Sequence, residues 1–65
     1  MKIGIVGLGL IGGSLGLDLR SQGHEVLGVS RRERTCEIAI ARGAVDDAGT
    51  EVALLADTDV IFVCT

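Results

Sequence analysis

Three short apolar runs punctuate the chain: KIGIV over Lys2 to Val6, EVLGVS over Glu25 to Ser30, and VIFVC over Val60 to Cys64. Their apolar residues are near-continuous rather than alternating, which is how a strand reads when both faces of a parallel sheet are covered. Between the first two runs the spacing changes. From Leu10 onward, Ile11, Leu15 and Leu19 recur every four residues, with Gly12 and Gly16 beside them and Ser14, Asp18, Ser21 and Gln22 opposite. That spacing predicts a helix, with Gly23 as its C-terminal stop. Leu10 and Leu17 form a second ridge, so this helix should need cover on two sides. Glu33 to Arg42 reads as a second helix that turns Cys36, Ala39 and Ile40 to one face and ends at Gly43. Ala44 to Thr50 is a loop or a very short strand, and 51–56 supply one or two helical turns at most.

The order strand, helix, strand, helix, short element, strand predicts an α/β fold built on a βαβαβ parallel sheet. Right-handed crossovers place both helices on one face of that sheet. Residues 51–56 look too short to cover the other face, so the chain is expected to be a truncated piece of a longer one. With 65 residues it would bury only ~60% of the surface it exposes when unfolded. Such a piece is expected to self-associate through its uncovered sheet face.

Gly7, Gly9 and Gly12 spell G-x-G-x-x-G between the first predicted strand and the first predicted helix. Ten glycines in the chain make a chance match easy, but the strand-to-helix context is the one this fingerprint requires. Each glycine has a task there. Gly7 permits the tight turn, Gly9 lets a pyrophosphate approach the backbone, and Gly12 lets helix and strand touch. The free N–H groups near Leu10 and Ile11 then point at the anion along a favourable helix dipole. No Gly-Lys-Ser/Thr follows, which excludes a P-loop. The fold class is therefore a Rossmann-type sheet, the first half of a dinucleotide-binding domain.

An NAD-binding unit carries an Asp or Glu about 20 residues past the loop to accept the ribose 2′-hydroxyl. Here Ser30 stands 21 residues after Gly9, and Arg31 and Arg32 follow it. A carboxylate at that place would repel the 2′-phosphate of NADP, whereas a hydroxyl donates to it and guanidinium forks match its geometry. The expected cofactor is NADP, with Ser30, Arg31 and Arg32 reading the phosphate and Thr35 adding a hydroxyl. Arg34 and Glu33 are expected on the helix surface. Ligands of open α/β sheets lie just outside the carboxyl ends of the strands, so Cys64 and Thr65 should border the cofactor.

Composition narrows the remaining classes. Nine Asp and Glu against six Lys and Arg give a net charge of −3, and Trp and Tyr are absent. A nucleic-acid surface would be basic and would offer aromatic platforms. No apolar stretch reaches the ~20 residues needed to cross a bilayer, and no leader-like cleavage pattern opens the chain. Cys36 and Cys64 fit neither a disulfide framework nor a metal-ligand spacing, so both are expected as reduced thiols in a soluble, cytoplasmic protein. His24 reads as a turn residue far from the glycine loop, and Asp46, Asp47, Asp57 and Asp59 as solvated loop carboxylates. No catalytic triad can be assembled from these residues.

With these elements in place, MKIGIVGLGLIGGSLGLDLRSQGHEVLGVSRR, followed by ADTDVIFVCT, resembles the amino terminus of the prephenate/arogenate dehydrogenase family. GLGLIGGSLG and GVSRR carry the likeness, and dehydrogenases of the 6-phosphogluconate and 3-hydroxyacid groups share the first of these more loosely. The resemblance implies an oxidoreductase of tyrosine biosynthesis that decarboxylates a cyclohexadienyl substrate with NAD(P). Ser30 and Arg31 favour the NADP-using, arogenate-type members. It also implies that catalytic residues, substrate-binding arginines and a helical dimerisation domain lie outside this chain, whose 65 residues form one partial, non-catalytic NAD(P)-binding domain. Two other readings stay open at this point: a non-enzymatic nucleotide-sensing module, and a minimal folding fragment with a vestigial site.

Overall fold

A computed structural model describes residues 1–64. Its strands are β1 (Lys2–Val6), β2 (Glu25–Val29), β3 (Asp47–Gly49) and β4 (Val60–Val63), and its helices are α1 (Leu10–Ser21) and α2 (Glu33–Ala41). A 3-10 turn spans Val52–Leu55. The strands form one parallel sheet in the order β3-β2-β1-β4, with Ile5 opposite both Gly28 of β2 and Phe62 of β4. The chain thus runs outward from β1 to β3 and then crosses back to β4 on the other side of β1.

The two sheet faces are covered unequally. Ile5, Leu8, Val26, Cys36, Ala39, Ala44 and Val45 make the main core, with Leu15 and Leu19 of α1 packed against it. On the opposite face Leu27, Val29 and Leu55 form a smaller cluster with Val6 and Leu54. The 3-10 turn therefore covers more than its length implied. Leu55 is only 2% exposed, because Gly4 of β1 leaves room for its methyl groups at 3.0 Å from where a Cβ would stand. The cover stops short of β4, where Ile61 and Val63 remain 48% and 70% exposed.

Helix α1 is rotated from the phase its apolar stripe implied, and α2 departs from its expected face at one residue. In α1 the buried residues are Gly12 and Gly16, and Ile11 is 74% exposed. Leu10 is exposed too, so α1 has cover on one side, not two. A Cβ on Gly12 would overlap the Gly7 carbonyl oxygen, and one on Gly16 would overlap that of Ala44. Backbone packs directly on backbone along this edge, so glycine, not the leucine stripe, sets the seating of the helix. In α2 Cys36 and Ala39 are buried as expected, but Ile40 lies partly open beside β3. Gly23 and Gly43, just past the two helix ends, both take positive φ.

Asp46 and Asp59 are not free loop carboxylates. Asp46 accepts the Val26 N–H at 2.7 Å through Oδ2, while its own N–H donates to the Val26 carbonyl at 2.7 Å. Its Oδ1 pairs with Arg20 at 3.0 Å, and Arg20 also donates to the Gly43 carbonyl at 2.7 Å. The end of α1, the exit of α2 and the start of β2 are tied at one residue. Asp59 does the same for Lys2, accepting its N–H at 2.9 Å and donating to its carbonyl at 2.7 Å. Among the described residues no helix is long and apolar enough to cross a membrane. No group of three or more metal-ligating side chains is found among them either.

An Asp46→Ala variant should lose about 1–3 kcal/mol of unfolding free energy, because the Val26 N–H is left without its acceptor in a part-buried setting. Asp46→Asn keeps an acceptor oxygen and should lose clearly less. Urea unfolding followed by circular dichroism separates the two.

Candidate functional site

The carboxyl ends of β1, β2 and β4 open onto a cleft of about 670 Å³. Its floor is Val6, Gly7, Leu8 and Gly9, and one wall is Val29, Ser30, Arg31, Arg32 and Thr35. Val52 and Cys64 complete it. A smaller groove of about 230 Å³ runs between α1 and α2 and shares Leu8, Gly9 and Thr35 with the cleft.

The floor is held rigidly from below. Gly7 has φ +95°, a left-handed conformation open to glycine at little cost, and its N–H donates to the Val29 carbonyl at 2.8 Å. Leu8 is 5% exposed and points into the main core, where Gly28 makes room for it; a Cβ on Gly28 would lie 2.6 Å from both Leu8 methyls. The glycine loop is therefore plugged into the sheet by its one apolar side chain. Above it the space is open. A Cβ at Gly9 would meet no atom within 4 Å, and Gly9 has an ordinary negative φ.

Gly9 is also the N-cap of α1, and no side chain caps this end. The first turn carries no acid. The Gly13 N–H closes the first helical bond onto the Gly9 carbonyl at 2.8 Å. Among the described residues, no acceptor takes the N–H groups of Leu10, Ile11 and Gly12. Free N–H groups at the positive end of a helix dipole form a site for an anion. The donors and the empty space above Gly9 suit a pyrophosphate.

At the end of β2 the backbone of Ser30 is fixed, its N–H donating to the Gly49 carbonyl at 3.1 Å. The Ser30 Oγ accepts the Arg32 N–H at 3.3 Å, which leaves its own hydrogen for an outside acceptor. Arg31 and Arg32 are exposed at the cleft and enter no ion pair among the described residues. Among the described residues no Asp or Glu lines the cleft. Its local charge is positive although the chain is acidic.

Of the residues expected to hold a cofactor, Gly7, Gly9, Ser30, Arg31, Arg32, Thr35 and Cys64 lie together on this cleft. Gly12 lies beneath the loop, and the side chains of Leu10 and Ile11 are exposed and line no part of the cleft. Thr65 lies outside the described residues. His24 sits at the opposite end of the sheet, its Nδ1 3.3 Å from the Met1 amino group. Sequence reasoning missed Leu8 as the plug and Val52 as part of the wall. Leu8 left a signal, an apolar residue between two loop glycines. Val52 left none, since only the return of the chain from β3 to β4 brings it there.

Fold and cleft together define a Rossmann-type dinucleotide-binding unit. By sequence the chain belongs to the family described as the NAD binding domain of 6-phosphogluconate dehydrogenase, whose model matches residues 2–65. Among solved structures, the crystal structure of Synechocystis arogenate dehydrogenase matches it with 57% identity and a TM-score of 0.98. That match covers 100% of this chain and 23% of the neighbour's, so the chain spans less than a quarter of that enzyme's length. The likeness to the arogenate and prephenate dehydrogenases carried by GLGLIGGSLG and GVSRR is thereby supported across the whole chain. No curated protein sequence matches the chain.

Two glycines of the loop should separate by experiment. Gly9→Ala should leave the unfolding midpoint nearly unchanged and weaken dinucleotide binding by about tenfold or more, a loss of about 1.4 kcal/mol. Gly12→Ala should cost about 1–3 kcal/mol in stability, because its methyl has only the Gly7 carbonyl to displace. Calorimetric titration and denaturant unfolding on both variants test the pair.

Proposed function

We propose that this chain binds the adenosine, 2′-phosphate and pyrophosphate part of NADP, as the first portion of a larger dinucleotide-binding domain. The protein it serves is an oxidoreductase of the arogenate/prephenate type, and its substrate is arogenate. When bound, the nicotinamide accepts a hydride as the substrate loses its carboxyl group. The chain's own residues do other work: they bind, orient and select the cofactor, and none is assigned to hydride transfer.

One observation carries the choice of NADP. The wall of the cleft at the end of β2 presents Ser30, Arg31 and Arg32, and among the described residues no Asp or Glu lines the cleft. A ribose 2′-hydroxyl would find no acid to accept its hydrogen bond there. A 2′-phosphate would find a free hydroxyl hydrogen and two unpaired guanidinium groups. The likeness to a solved arogenate dehydrogenase at 57% identity supports the enzyme over a sensing module or a vestigial fragment.

The test is a comparison of NADP and NAD binding in the chain and in its Arg31→Ala, Arg32→Ala double variant. NADP affinity should fall by about tenfold to a hundredfold for each charged hydrogen bond lost, while NAD affinity stays within about twofold. Equal losses for the two cofactors would refute the phosphate reading.

A further inference from the structure

The loop that carries Ser30, Arg31 and Arg32 is held from behind by a residue that does not line the cleft. Cys36 is 5% exposed, in the first turn of α2. Its N–H donates to the Arg32 carbonyl at 3.2 Å. Its Sγ lies 3.4 Å from the Gly49 carbonyl oxygen and 3.9 Å from that of Ser30. The Gly49 carbonyl is the same acceptor that takes the Ser30 N–H at 3.1 Å. One carbonyl at the end of β3 therefore gathers the backbone of Ser30 and the thiol of Cys36. Ser30 in turn fixes Arg32 through its Oγ.

We infer that Cys36 is a positioning residue for cofactor selection, its thiol bonded to the Gly49 carbonyl so that the Ser30–Arg32 turn keeps the shape that reads a 2′-phosphate. The inference rests on the NADP reading of the cleft. The thiol has a single hydrogen, and the shorter contact, to Gly49, is its bond. The Ser30 carbonyl at 3.9 Å is within reach if the turn shifts. Core filling alone would need only a small apolar group at this place. The two part-buried carbonyls facing the sulfur give a donor a separate value: without the thiol the Gly49 carbonyl keeps only the Ser30 N–H, and a carbonyl that loses one of its partners leaves the loop bearing it freer to move.

The experiment titrates the chain with 2′,5′-ADP and with 5′-AMP, which differ only in the 2′-phosphate. It compares the native chain with Cys36→Ala, Cys36→Val and Cys36→Ser. The native chain should prefer 2′,5′-ADP. Cys36→Ala and Cys36→Val, which lack the donor, should lower that preference by about threefold to tenfold through weaker 2′,5′-ADP binding alone. Cys36→Val fills the cavity should Cys36→Ala prove unstable. Cys36→Ser restores a donor and should restore the preference. An undiminished preference in both Cys36→Ala and Cys36→Val, or an equal loss for the two ligands, overturns the role given to Cys36 and leaves the NADP reading intact. A native chain with no preference overturns the NADP reading and the role of Cys36 with it.

Discussion

Everything at the ligand-facing end of this molecule depends on how closely α1 approaches the turn after β1. The Gly12 α-carbon rests against the Gly7 carbonyl with no room for a methyl group. That approach brings the first turn of α1 to the edge of the sheet and aims its free N–H groups across the cleft. A larger residue at Gly12 would lift the helix, and the donors would no longer converge on one anion. Gly16 repeats the contact one turn later against the Ala44 carbonyl, so the helix is seated at two points and cannot rock about one of them. Leu8 supplies a third restraint, since its side chain is locked over Gly28. The loop that meets the ligand is thereby built almost wholly from backbone.

Charge enters only where the chain leaves β2. Acidic residues stand elsewhere: Asp46 and Asp59 brace the far ends of the strands, and Glu33 and Glu37 lie with Ile40 beside β3. Separating the charges in this way lets an acidic chain present a positive wall to its cleft. The Coulomb attraction of exposed guanidinium groups is screened by solvent and salt, so positioning counts for as much as charge. Ser30 is bonded to Gly49 and to Arg32, and Gly49 is bonded to Cys36. The short third strand, only three residues long, thus has a role beyond the sheet: its last carbonyl anchors the turn that leaves β2.

Much of this was legible in the sequence, and the gaps have physical causes. The bounds of β1, the start of β2 and the starts of both helices follow from apolar runs ended by the glycine loop or by the polar SRR stretch, with β2 closing one residue earlier than its apolar run implies. The phase of α1 does not follow in this way. Apolar periodicity points to Ile11, Leu15 and Leu19, of which the last two do pack on the core, but the tightest contact belongs to Gly12, marked by the glycine fingerprint, and to Gly16, which no hydrophobicity pattern marks. Ile40 was misjudged for a related reason: the short β3 leaves that side of α2 partly open. Asp46 and Asp59 look like ordinary loop acids until the strand register brings them opposite the N–H groups of Val26 and Lys2. Val52 reaches the cleft through a crossover whose path only the fold defines. At the site itself, Gly7, Gly9, Ser30, Arg31 and Arg32 could be read together because their spacing is fixed by one strand-helix-strand unit.

The central claim is that the end of β2 recognises a 2′-phosphate. A structure of the chain with NADP bound tests this most directly. The account predicts the 2′-phosphate within hydrogen-bond distance of the Ser30 hydroxyl and of at least one guanidinium from Arg31 or Arg32, with the pyrophosphate on the N–H groups that open α1. A bound NADP whose 2′-phosphate faces solvent, with Ser30 and both arginines unengaged, would contradict it.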